Sequence, residues 1–428
     1  MPVSHCSPAP SALRRSLTMP LEQLRDALPT VLHEDADLRA MLPAGPEACW
    51  TIGGLGLIGF GRAASFAITG EDRFTGARAW WDDVVDGLRI EDPLQRSATG
   101  PVAFGAFAFA RSSQRRSGLV VPELVLGRDG DGAWATLVSS SPDPLGPDDI
   151  AEAVRRLIQL PDGPAPETAA PRALEDPSAQ AAWLDGVASG IEEIRSGSLE
   201  KIVLARRVPV RAAEGSQLDM PRALSRLAAD YDRCWTYTVD VLGRPSPDGG
   251  RTFGATPERL VRVLDGAVHA RVLAGTVART SSGPASAAER AWAHERLMED
   301  AKQRSEHEFA IASFLEGIAA YTDAVRSSTE PYLLELPNVW HLASDVTCDL
   351  RRGPDGTVAS ALELVEAVHP TAAVCGTPTA AAAASIARLE GMDRGLYAGP
   401  VGWVDARHNG AFGIALRGGI LEDAATAG

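Results

Sequence analysis

Short stretches of this chain carry residue types that could do chemistry. In Ser198-Leu199-Glu200-Lys201-Ile202-Val203-Leu204-Ala205-Arg206-Arg207-Val208, read as a strand, Ile202, Leu204 and Val208 share one face while Lys201, Val203 and Ala205 share the other. A lysine held among small apolar residues in a partly dry cleft has a lowered pKa, and a neutral amine is a general base. The same lysine on an edge strand would only extend its ammonium into water. In Phe253-Gly254-Ala255-Thr256-Pro257-Glu258-Arg259, the Thr-Pro step makes a bend and Glu258 sits at its exit. Taken alone, Glu258 reads as an exposed carboxylate at a strand start. In Lys302-Gln303-Arg304-Ser305-Glu306-His307-Glu308-Phe309, Glu306 projects beside the apolar face formed by Ile311, Phe314, Leu315 and Ile318. Such a charge-rich helix ordinarily faces solvent. Cys375-Gly376-Thr377 leads into a helix expected over Thr379 to Leu389, whose first N–H groups and dipole attract an anion. Arg417, closing a strand expected over Phe412 to Leu416, offers a fork that matches a carboxylate.

These side chains need a scaffold, and the rest of the chain reads as sheet with helices. Between Thr51 and Ser140, apolar runs such as Pro101 to Phe109 and Gly118 to Leu126 alternate with turn residues, and Asp129-Gly130-Asp131-Gly132 signals a hairpin. The Pro- and Ala-rich segment from Leu160 to Asp176 reads as a linker. A helix follows, with Trp183, Val187, Ile191 and Ile194 expected on its buried face and Gly197 ending it. The expected division is a flexible tail and lead-in over 1–45, a sheet-rich half over 46–159, the linker over 160–177 and a second part over 178–428, with both halves in one domain.

Composition narrows the function class. The 428 residues can bury a large core, and 45% hydrophobic with 23% charged content is that of a globular protein. Lys plus Arg number 41 against 56 Asp plus Glu, a net charge of −15 that disfavours nucleic acid and anionic lipid. An anionic substrate would need local donors. Cys6, Cys49, Cys234, Cys348 and Cys375 are scattered and lack CxxC spacing, so a reduced cytoplasmic compartment without a zinc ribbon is expected. Residues 1–19 lack the apolar core of a signal peptide, and no apolar run approaches membrane-spanning length.

Taken in order, these stretches resemble the chorismate-utilising enzymes, and within them the isochorismate synthases. The Lys-[Ile/Val]-Val-Leu-[Ala/Ser]-Arg strand matches at Lys201, the Gly-Ala-[Ser/Thr]-Pro-Glu element at Glu258, and the Ala-Gly-[Ser/Thr] element at Gly275 and Thr276. The magnesium segment matches at Glu306, and a strand bordering the cleft at Pro337 to Leu342. His369 to Arg417 resembles the family's C-terminal part. The resemblance implies an α+β fold, two packed antiparallel sheets flanked by helices, with the active site in a cleft.

It also implies roles. Lys201 would take a proton from water attacking C2 of chorismate while protonated Glu258 delivers one to the hydroxyl leaving C4, giving isochorismate. Burial would push the lysine pKa down and the glutamate pKa up. Glu306 would bind Mg2+, which anchors the ring carboxylate; Arg417 and the backbone near Ala373 would hold the enolpyruvyl carboxylate. Gly275 and Thr276 would contact substrate. His341 would either hydrogen-bond the substrate or fill a polar core position. The implied partner is chorismate alone, bound by a monomer. After Arg417 the family continues with a helix carrying a second magnesium glutamate and a substrate-binding lysine, which the sequence to Gly428 does not show. Weaker magnesium binding is the expected consequence. The alternatives are a salicylate synthase, which shares Lys201 and also eliminates pyruvate, with Tyr397 and Leu416 resembling that branch, and a remnant acting only in binding. Product use in menaquinone or siderophore synthesis stays open.

Overall fold

The computed structural model describes the chain apart from residues 1–4, 8–11, 28–36, 162, 164–169, 244–249, 280–282, 328–329, 355, 424–425 and 428. Much of the expected linker therefore lies outside the described residues. The chain divides into two compact units that are not the two halves of the sequence: one comprises 1–173, 209–257 and 394–428, the other 174–208 and 258–393.

The first unit is built on a 12-stranded sheet. Its central strands, Arg251–Thr256, Trp235–Asp240, Ala48–Ile52, Leu55–Phe60, Leu124–Asp129 and Gly132–Ser139, are antiparallel neighbours in that order. The expected hairpin is present, with Gly132 paired to Asp129. A second antiparallel sheet contains Ala64–Ile68, Ser117–Val121, Val102–Ala106, Pro400–Asp405 and Gly410–Ile414. Inward residues of both sheets share one core: Trp50, Leu57 and Tyr237 from the first meet Phe104, Val120 and Trp403 from the second. Helices at Pro147–Leu157 and Met220–Asp230 cover the other face of the large sheet, burying Ile150, Val154 and Leu224. The expected layering of packed antiparallel sheets under helices is thus realised here.

The lead-in is more ordered than the sequence suggests. Arg15–Pro20 is a strand, antiparallel to Trp134–Ser139 and parallel to Arg89–Glu91. Its alternation is hidden because two inward residues, Ser16 and Thr18, are polar; Thr18 Oγ1 lies 2.9 Å from Thr136 Oγ1, so the pair satisfies itself inside the sheet.

The second unit contains α1 (Pro177–Arg195), β1 (Lys201–Ile202), β2 (Arg259–Leu264), β3 (Ala267–Ala278), α2 (Ala287–Met298), α3 (Ala301–Ile318), β4 (Thr322–Ser327), β5 (Tyr332–Glu335), β6 (Val339–Leu350), α4 (Ala361–Val368), β7 (Gly376–Thr377) and α5 (Thr379–Glu390). Strands β2, β3 and β6 form an antiparallel sheet, and β4 and β5 both pair with β6. Helix α3 starts at Asp300, whose side chain accepts from the Gln303 N–H, and buries His307, Ala310, Phe314 and Ile318. Phe314 and Ile318 of the expected apolar face are buried, Ile311 and Leu315 only partly so, and the buried side runs instead through Ala310 and His307.

Helix α1 departs from expectation. Its buried positions are Gly186 and Gly190, while Ile191 is 44% and Ile194 37% exposed. A β-carbon at Gly186 would lie 3.0 Å from the Leu389 carbonyl oxygen, and one at Gly190 3.1 Å from Ile202 Cγ2. The helix approaches α5 and β1 through its glycines, a contact that hydrophobic periodicity does not register. Gly197 does end it, at φ 81°.

Candidate active site

The strand expected over Lys201 to Val208 shortens to β1, because its only ladder partner among the described residues is the two-residue β7, with Lys201 opposite Thr377 and Ile202 opposite Gly376. The pairing is extended by Glu200 N–H donating to Thr377 O at 2.8 Å and Val203 N–H to Cys375 O at 2.9 Å. Farther along, Ala205 N–H donates to Glu390 Oε1 at 2.7 Å. These bonds hold the lysine backbone from both ends. The side chain is only 18% exposed, and its Nζ lies 2.8 Å from Glu306 Oε1 on α3.

Glu258, immediately before β2, is not the exposed carboxylate that its local sequence suggests: it is 7% exposed. Burial pushes its pKa up to about 8, against the pull of the Lys201 ammonium. At neutral pH it therefore carries a proton. A buried carboxylic acid within the field of a lysine has the electrical arrangement of an acid–base pair.

Strand β3 bulges between Ala274 and Thr276, with Gly275 at φ 82°. A β-carbon at Gly275 would lie 3.0 Å from Gln303 Oε1 on α3. Beyond the bulge Thr276 pairs with His341 of β6, and Thr276 Oγ1 lies 2.8 Å from His341 Nδ1. The histidine is thus fixed by a hydroxyl rather than sealed in the core. Its neighbour in type, His307, is buried with Nε2 2.8 Å from Ser344 Oγ, a structural role consistent with the ligand role not being required of it.

Ala373 lies partly buried in the turn before β7, where Val374 and Cys375 N–H groups both donate to Thr371 O. Helix α5 begins at Thr379 as expected. Lys201, Glu258, Gly275, Thr276, Glu306, His341 and Ala373 all belong to the second unit. Arg417 belongs to the first, three residues beyond the strand ending at Ile414, with φ 51°. Its carbonyl accepts from Ala255 N–H at 3.2 Å and its Nη1 lies 3.9 Å from Cys234 Sγ.

Among the described residues no three His, Cys, Asp or Glu side chains gather as a ready-made metal cage. What α3 offers is the Glu306 carboxylate and, one turn earlier, Gln303 Oε1, a buried oxygen without a hydrogen-bond partner. That oxygen-only set suits magnesium, which takes few protein ligands and completes its octahedron with water and substrate oxygens. Sequence reading missed Gln303; its spacing of three from Glu306 on one helix face was the available signal. Of the 41 basic residues only Lys201 and Lys302 are lysines.

The fold is of the α+β, antiparallel-sheet class, and a buried Glu258 in the field of Lys201 is an arrangement suited to acid–base chemistry. The chorismate binding enzyme profile matches residues 50–427, and the chain belongs to that family. It is 28% identical over 385 residues to the isochorismate synthase MenF of Bacillus subtilis, covering 86% of this chain and 78% of that protein. It is 30% identical over 394 residues to the salicylate biosynthesis isochorismate synthase of Pseudomonas aeruginosa, covering 88% and 77%. The menaquinone-specific isochorismate synthase MenF of Escherichia coli shares the fold, with a TM-score of 0.68 at 21% identity over 100% of this chain and 88% of that one. Among the described residues no helix is long and apolar enough to cross a membrane.

Proposed function

We propose that this protein is an isochorismate synthase, adding water at C2 of chorismate and expelling the C4 hydroxyl. The observation that carries the reading is Glu258, buried and held protonated at neutral pH beside Lys201. Lys201 takes a proton from the attacking water as its oxygen bonds to C2. The ring double bonds shift, and Glu258 gives its proton to the C4 oxygen, which leaves as water. One water enters and one leaves, so the reaction is an isomerisation. Lys201 then holds the proton that Glu258 has lost, and its return to Glu258 resets the pair.

Magnesium, when bound by Glu306 with Gln303 Oε1 as the adjacent oxygen donor, supplies positive charge to anchor the ring carboxylate. The Gly275 bulge turns Thr276 and His341 together and presents their polar atoms for substrate contact. The backbone at Ala373 is a donor region for the enolpyruvyl carboxylate. The test is the consumption of chorismate by Lys201→Ala and Glu258→Gln beside the parent protein. Near-normal turnover by either variant would remove that residue from the mechanism. Pyruvate and salicylate as the main early products would instead assign the salicylate synthase reaction.

A further inference from the structure

The side chain assigned as base and the side chain assigned to the metal are in contact. Lys201 Nζ lies 2.8 Å from Glu306 Oε1, and the pair is partly shielded, with 18% and 30% side-chain exposure. A magnesium ion on that same oxygen would stand directly against the ammonium, and one on the other oxygen of the carboxylate would still lie close to it, so the two cations repel each other at Glu306.

We infer that Lys201 is the resident counter-cation of Glu306, and that magnesium binding is an exchange in which the metal takes the carboxylate and the lysine side chain leaves it. This rests on the proposed function, since it deepens the metal role of Glu306. The anchoring favours an exchange over a rearrangement of the whole site. The Lys201 backbone is fixed by the β7 ladder and Glu306 by helix α3, so only the two side chains need to move. The consequence is ordering: the lysine side chain is released from Glu306 in the state in which the metal is in place, and the metal-free site keeps lysine and carboxylate as a compensated pair. Metal and lysine are competing ligands of one carboxylate, so removing either strengthens the hold of the other.

The experiment uses the full chain without chorismate. Titration calorimetry with MgCl2 is expected to show Lys201→Met binding magnesium on the order of tenfold more tightly than the parent, because the competing cation is gone. Lys201→Arg, which keeps a cation, should bind no more tightly than the parent. A second reading uses the scarcity of lysine. Acetylation followed by peptide mass spectrometry should label Lys201 several-fold faster at saturating magnesium, with the exposed Lys302 as an unchanged internal reference. Equal or weaker magnesium binding by Lys201→Met, or Lys201 labelling that magnesium leaves unchanged or slows, overturns the exchange alone. Absence of magnesium binding by all three proteins overturns the metal role of Glu306 and the exchange with it.

Discussion

Gly376 lies so close behind Lys201 that a β-carbon on it would overlap the Lys201 carbonyl oxygen and stand 2.8 Å from Ala382 Cβ and 3.0 Å from Ile202 Cα. Its φ of 144° adds a backbone conformation that side-chain-bearing residues rarely adopt. Gly376→Ala is therefore expected to open the β1–β7 ladder. We expect a loss of about 2 kcal/mol or more by denaturant unfolding and a drop in activity beyond what the remaining folded fraction explains, because the lysine loses its register. Unchanged stability would show that the ladder yields without consequence.

Glu258 predicts a pH dependence. Its folded-state pKa of about 8 lies above the ordinary carboxylate value, so the proton needed for the leaving hydroxyl is present at neutral pH and is lost as pH rises past about 8. Turnover should fall on that alkaline limb. The stability linkage has the same sign: between the ordinary value and about 8 the folded protein keeps a proton that the unfolded chain releases, so this group lowers stability as pH rises through that window. Glu258→Gln should lose the turnover and flatten that part of the stability curve. A parent protein whose stability is independent of pH across the window would contradict the assignment.

Thr276 and His341 make a narrower prediction. Thr276→Val removes the hydroxyl that faces His341 Nδ1 and leaves the bulge intact, so the expected effect is on substrate binding, with KM raised roughly fivefold and kcat changed less. An equal fall in kcat with KM unmoved would place the pair in the chemical step.

What the sequence revealed divides along physical lines. Turn chemistry and short motifs were legible, as in the Asp129–Gly132 hairpin, the helix start at Thr379 and the Gly197 stop, because each depends on local backbone preferences. Contacts made by absent side chains were not. Gly186 and Gly190 form the seam of α1, so the periodicity of Ile191 and Ile194 pointed to the wrong face. Ser16 and Thr18 concealed a strand for the converse reason, being polar residues buried inside a sheet, where Thr18 pairs with Thr136. At the site, Lys201, Glu258 and Glu306 were each visible one at a time. Their mutual arrangement was not, because it depends on β7 holding β1 and on α3 presenting Glu306, both distant in sequence. The burial of Glu258 likewise comes from the tertiary structure, which no local pattern at Thr256-Pro257 contains.

Glu306 bears on metal dependence. Glu306→Gln keeps the shape of the side chain but removes its charge, and is expected to weaken magnesium binding by more than tenfold and to free the Lys201 side chain. Activity of the parent should stop with EDTA and return with added magnesium. Turnover indifferent to EDTA would take Glu306 out of the metal role and leave it as the partner of Lys201 alone.

The central claim is that water from solvent, deprotonated by Lys201, becomes the new ring hydroxyl. It is tested most directly by running the reaction in 18O-labelled water and following the ring oxygens by mass spectrometry. The account predicts isochorismate carrying one 18O, located on C2, with recovered chorismate acquiring label only as the reaction reverses, and no labelled product from Lys201→Ala. Isochorismate formed with the original oxygen retained would mean that the hydroxyl migrates within the substrate, and the roles assigned to Lys201 and Glu258 would both be wrong.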